Sequence, residues 1–116
     1  MSGKIIIEML HYLFAIILFI HGFIHLMGYS RSFHFSEIKN MSEPIAKPLG
    51  LLWFSACILF IIAGIFFLLD KSIWWKLALA AVLLSQIVIF TSWKDAKFGT
   101  IANFIILAYI FYFLFS

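Results

Sequence analysis

The sequence predicts an all-α membrane protein, an antiparallel bundle of four transmembrane helices, and three observations carry that expectation. Of the 116 residues, 66% are hydrophobic and only 11% are charged, whereas charged residues make up about a quarter of a soluble domain. A soluble core of this size could not hide so much apolar surface. Four apolar runs, each long enough to cross a bilayer, alternate with short segments that hold nearly all the charges. All four tryptophans, Trp53, Trp74, Trp75 and Trp93, fall near the ends of those runs, where an interfacial aromatic belt belongs. One membrane domain over 1–116 is expected. The net charge of +3 comes from eight Lys and Arg against five acids placed between the runs, a pattern that reads as topology and headgroup contact and not as nucleic-acid binding.

Span one covers about 5–28. Its apolar stretch exceeds the roughly 7 to 15 residues of a signal-peptide core and no A-x-A-like site follows, so it is expected to be kept and to span. Glu8 lies close enough to its start to reach headgroups. The connection 29–47 carries Arg31, Glu37, Lys39 and Glu43, and Phe33, Phe35, Ile38 and Met41 within it could form the apolar side of a short interfacial helix. Pro48 suits the first turn of span two, about 49–69. Asp70 to Ser72 then makes a tight hairpin into span three, about 73–93. Lys94, Asp95 and Lys97, with Gly99, form the last connection before span four, about 100–115. The basic residues divide five against three, or four with the amino terminus, between the two sides, and the expectation is that both termini lie outside.

Helical periodicity marks the inward faces. In span one His11, Ala15, Leu18, Gly22 and His25 recur at the spacing of one packing seam. Gly50, Cys57 and Gly64 in span two, and Ala78, Ala81, Ser85, Val88 and Ser92 in span three, form small-residue seams that let backbones approach. Gly22, Gly50, Gly64, Ala81 and Ser85 are thus the expected packing positions. The lone Cys57 excludes an intrachain disulfide and reads as a small apolar packing residue. Antiparallel threading also brings His21, His25, Gln86, Thr91, Ser92, Asp95, Thr100 and Asn103 into one half of the bilayer. Polar residues at that depth are costly unless they serve a site or satisfy one another.

The segments HGFIHLMG (21–28), GLLW (50–53), SQ (85–86) and WKDAKFGTIAN (93–103) resemble a family of small, uncharacterised bacterial four-helix membrane proteins, loosely similar to DoxX-like proteins. The resemblance runs along nearly the whole chain. It implies the bundle fold and a multi-pass place in a cell membrane, the bacterial inner membrane, and it supplies no reaction.

Three functional classes follow. In the first, His21, His25, Gln86, Asp95 and Asn103 form a binding site for a small polar or lipid-like ligand or a metal. The His-x3-His spacing of His21 and His25 suits two metal ligands on one helix face, with Asp95, His34 or another subunit as the third. No HExxH glutamate exists, since Gly22, Phe23 and Ile24 stand between His21 and His25, and all histidines lie in the first 34 residues, which disfavours haem held by two axial histidines within one chain. The cofactor is left unnamed and an enzyme is not the favoured reading. In the second class, histidines or Glu8 carry protons for transport. In the third, the chain is a structural or accessory subunit. The partners expected are the lipid bilayer and a second copy or another membrane protein. Aromatic residues Phe104, Tyr109, Phe111, Tyr112, Phe113 and Phe115 on span four face lipid or such a partner.

Overall fold

The computed structural model of the chain describes residues 3–33 and 46–116. Within them all regular structure is helical: α1 (Gly3–Phe33), α2 (Lys47–Leu68), α3 (Trp74–Thr91), the single turn α4 (Trp93–Ala96) and α5 (Gly99–Phe115). Three of these, α1 to α3, are long and apolar enough to cross a membrane, and α5 is shorter and apolar. Of the expected interfacial helix in the connection 29–47, Phe33 belongs to α1, and Phe35, Ile38 and Met41 lie outside the described residues.

Local chemistry sets the helix ends. Ala46 is extended, with φ −64° and ψ 146°, and Pro48 sits in the first turn of α2, where its missing N–H would have no intrahelical partner. At the other end Asp70 adopts φ 58°, while Lys71 N–H reaches Phe66 O at 2.9 Å and Asp70 N–H reaches Phe67 O at 3.2 Å. That pair of bonds is a Schellman cap, here with aspartate where glycine is usual. Ser92, at φ −126° and ψ 40°, breaks α3 from α4. The bonds Thr100 N–H to Lys97 O and Ile101 N–H to Phe98 O, both 3.1 Å, then lead into α5.

Two expectations change here. Helix α1 continues to Phe33, past the Gly28 boundary read from hydropathy. Tyr29 to Phe33 hold no helix breaker, so the backbone ladder runs on after the apolar run stops. The last connection is not simply a loop, because Trp93–Ala96 close a helical turn of their own.

The helices alternate in direction. The start of α1 meets the end of α2 and the start of α3 through Phe14, Phe67 and Trp74, and the end of α5 joins them through Tyr109. At the opposite end His21 of α1 reaches Asn103 near the start of α5. Successive helices pack side by side, and the contact between α1 and α5 is sparse. Between the two ends, Leu18, Ala56, Phe60, Ala63, Ala78, Ala81 and Ile106 are fully buried. Alanine at four of these seven places allows the backbones to close on one another.

The seams hold except at one end: Ala15, Leu18, Gly22 and His25, then Gly50, Cys57 and Gly64, then Ala78, Ala81, Ser85, Val88 and Ser92, are buried, whereas His11, the first member of the α1 seam, is only half-buried near the open end of the bundle. A Cβ on Gly22 would lie 3.0 Å from Phe60 Cβ and 3.2 Å from the Cys57 carbonyl oxygen, so α1 and α2 are in backbone contact there. A Cβ on Gly64 would lie 2.8 Å from the Phe19 ring. The tryptophans behave differently from the belt. Trp53 and Trp74 are 4% and 3% exposed and fill core space, and only Trp93 stands well out. Nearness to a helix end sets depth, whereas the angle around the helix decides between core and outside.

Candidate functional site

His21, His25 and Gly28 lie on one face of α1, spaced by four and three residues. Both histidines are buried, at 5% and 1% exposure. His25 Nδ1 is 2.7 Å from the His21 carbonyl oxygen. A carbonyl only accepts, so Nδ1–H donates, and on a neutral ring Nε2 is then an acceptor. Ser85 Oγ, 2.7 Å away on α3, therefore donates to His25 Nε2. The same Ser85 oxygen accepts a proton of Asn103 Nδ2 at 3.0 Å. The second Nδ2 proton goes to Gln86 Oε1 at 3.0 Å, and Gln86 Nε2–H donates to Thr100 Oγ1 at 3.0 Å. His21 Nε2–H donates to Asn103 Oδ1 at 2.8 Å. Six bonds among α1, α3 and α5 thus run in one consistent set of directions, and Asn103 uses both amide protons and its carbonyl in three of them.

Packing holds the rings that carry these bonds. The His21 ring meets Phe60 edge-on with centroids 4.8 Å apart, and His25 lies between Phe60 and Trp53, at 5.3 and 5.2 Å. Apolar walls exclude competing water and strengthen each bond.

Beside the network is a cavity of about 340 Å³, bounded by His21, His25 and Gly28 of α1, by Trp53, by Ile89 and by Asp95, Phe98 and Gly99 at the α4–α5 corner. It occupies the sparse side of the bundle, between α1 and α5. Ile24, Met27 and Phe98 also line it and are exposed on the outer surface, so its mouth is apolar and lateral. Two glycines shape it. A Cβ on Gly28 would run into the Trp53 indole, and one on Gly99 would come within 2.9 Å of Ile89 Cδ1 and 3.6 Å of His21 Cε1. The indole Nε1–H of Trp53 is buried and has no hydrogen-bond partner among the described residues. A buried donor without a partner, on a residue that lines a cavity, is a group whose satisfaction calls for an explanation.

Of the residues expected at the site, His21, His25, Gln86 and Asn103 come together in the network. Asp95 borders the cavity. Thr91 turns back to Val88 O at 2.7 Å and serves its own helix. Ser85, expected only to pack, is the hydroxyl that joins His25 to Asn103. Trp53, Gly28 and Gly99 were not expected to shape a site, although Trp53 and Gly28 lie inside the GLLW and HGFIHLMG segments that stand out in the sequence. As for metal, His25 has both ring nitrogens engaged, so chelation by His21 and His25 together would break a bond of the network. Among the described residues no three His, Cys, Asp or Glu side chains gather around one point, and His34 lies outside them. Comparison with protein-family models, with curated proteins and with solved structures gave no match.

Proposed function

We propose that the chain is a small multi-pass membrane protein, akin to the small bacterial four-helix proteins it resembles, that binds a lipid-like molecule in the cavity between α1 and the α4–α5 corner. All four long helices cross the bilayer in this reading. The 17 residues of α5 fall at the lower limit of the roughly 17 to 25 that a crossing needs. The inverted surface supports it: Ile7, Leu13, Ile20, Leu83, Ile87 and Phe104 are exposed while His21, His25, Ser85 and Asn103 are buried, an arrangement suited to a hydrocarbon solvent.

The observation that carries the binding reading is a mostly apolar cavity lined in part by Trp53, whose buried Nε1–H has no partner among the described residues. A ligand that answers it has an apolar body and a hydrogen-bond acceptor such as an ester, quinone or ketone oxygen. The polar network acts as the rigid back of the site, because each of its members is held by at least one other.

Extraction and mass spectrometry of protein purified in dodecyl maltoside test this reading. One neutral lipid-like species is expected at near-stoichiometric level. Trp53→Phe, which keeps the aromatic bulk and removes the N–H, should reduce its retention about fivefold at unchanged thermal stability, since one hydrogen bond is worth about 1 kcal/mol. Retention unaffected by Trp53→Phe and by Ala102→Leu, which enlarges a residue of the cavity lining, or no retained species, would overturn it and favour an accessory-subunit role.

A further inference from the structure

One polar atom beside the network takes no part in it. His21 donates through Nε2 to Asn103 Oδ1 at 2.8 Å, so on a neutral ring Nδ1 keeps a lone pair and can only accept. Among the described residues that lone pair meets no donor, because the bond to Asn103 is the one hydrogen bond the His21 side chain makes. His25 differs, since both of its ring nitrogens are engaged. We propose that His21 Nδ1 is the specificity-determining acceptor of the cavity between α1 and the α4–α5 corner, and that the lipid-like molecule bound there carries a free hydroxyl that donates to it. This inference rests on the binding reading above and narrows it.

The direction of the lone pair follows from the two places where α5 meets the ring. Asn103 and Gly99 are one turn apart on α5, and both face His21. Asn103 Oδ1 lies against Nε2, and a Cβ on Gly99 would lie 3.6 Å from Cε1, the carbon between the two nitrogens. The ring edge from Nε2 to Cε1 therefore runs along α5 toward its start, and Nδ1 is the next atom round. The two nitrogens of an imidazole address nearly opposite directions. With Nε2–H turned to Asn103, the Nδ1 lone pair turns away from it, toward the α4–α5 corner. The cavity lies there, with His21, Phe98, Gly99 and Ala102 in its lining.

The chemistry of the donor follows from the route by which it arrives. Ile24, Met27 and Phe98 stand exposed around a lateral, apolar mouth, and a charged group is costly to bring through hydrocarbon. The donor is therefore an uncharged one. Neutral lipids without a hydroxyl, such as triacylglycerols and quinones, offer only acceptors and would set one lone pair against another. A hydroxyl supplies the proton. Such a hydroxyl can belong to a glycerolipid, as in a diacylglycerol, or to a phenolic lipid such as a quinol.

The test uses the whole chain in dodecyl maltoside, with the histidine ring nitrogens labelled for NMR. It is titrated with dioleoylglycerol, with a long-chain alkylphenol, and with the O-methyl ether of each, which keeps the shape and removes the proton. The His21 signals are those missing from His21→Gln. In the free protein Nδ1 should give the signal of a bare acceptor nitrogen, and it should move saturably toward that of a hydrogen-bonded one as a hydroxyl compound binds. That compound should bind about fivefold tighter than its ether, the difference one hydrogen bond makes, and His21→Gln should bring the ratio near one. The tighter of the two hydroxyl compounds identifies the source as glycerolipid or phenolic. A proton on Nδ1 in the free protein, an Nδ1 signal that stays in place while a hydroxyl compound binds, or equal binding of hydroxyl and ether would overturn this inference and leave the binding reading standing. Binding of none of the four would overturn both.

Discussion

The two ends of the bundle handle the same residue type by different physics. At one end His21 and His25 are fixed by directional hydrogen bonds to Asn103, Ser85 and the α1 backbone. At the other His11 is held by stacking on Phe67, inside a group that includes Phe14, Trp74 and Tyr109. Hydrogen bonds need a particular donor facing a particular acceptor, and a buried group that loses its partner costs more than the bond contributed. Ring packing asks only for shape and volume, and conservative swaps lose little. The polar end should therefore be intolerant of substitutions that preserve size, and the aromatic end tolerant of them.

The sharpest break of that contrast is Asn103→Leu. It removes the partner of His21, Ser85 and Gln86 at once, and a loss of about 3 kcal/mol is expected from partly compensated orphan groups. Reversible unfolding in mixed micelles reads it, and a loss below about 1 kcal/mol would show that the network adds little to stability. The matching change at the aromatic end, Phe67→Leu, should cost about 1 to 1.5 kcal/mol in the same assay. Equal losses at the two ends would dissolve the distinction.

Gly28→Ala tests how tightly the cavity wall is set. Overpacking against the Trp53 indole costs about 1 to 3 kcal/mol, and the better helix propensity of alanine returns up to about 1. A net loss of about 1 kcal/mol is expected, together with a changed tryptophan emission spectrum. Gly64→Ala meets only the edge of the Phe19 ring, which can rotate aside, and should come out near neutral. A Gly28→Ala protein as stable as wild type would mean that Trp53 moves freely.

A double-mutant cycle of His25→Leu and Asn103→Leu measures coupling across the polar end. The two residues meet through the one Ser85 hydroxyl, and the two single losses should add up to about 0.5 to 1 kcal/mol more than the loss in the double mutant. Additive losses would separate His25 from the network.

The smallest effect belongs to the turn that borders the aromatic end. Asp70 holds φ 58°, a conformation that glycine adopts without a Cβ clash. Asp70→Gly should stabilise by about 0.5 kcal/mol after its own entropy in the unfolded chain is counted. A destabilised variant would indicate that the carboxylate makes a contact worth more than the strain.

Much of this architecture was determined by the sequence alone, because the signals involved are local. Apolar runs marked the helices, Asp70 to Ser72 marked the hairpin, and the recurrence of His11, Ala15, Leu18, Gly22 and His25 marked the buried face of α1. Up-and-down threading then placed His21, His25, Gln86 and Asn103 at a common depth. Hydropathy marked the extent of the apolar run and not of the helix, so α1 was read five residues short of Phe33. What only the tertiary structure decided was how each helix is rotated about its axis relative to the others. A periodic pattern gives the angles between residues of one helix and says nothing of a neighbour's. For that reason Ser85 looked like a packing residue although it bonds to His25, 60 positions away, and to Asn103. Trp53 and Trp74 looked interfacial and turn into the core, and Tyr109 was read as facing lipid or a partner but stacks on Phe14 at 4.0 Å. The cavity beside the polar network exists for the same reason, since it is bounded by residues that sequence distance keeps far apart and helix rotation brings to one wall.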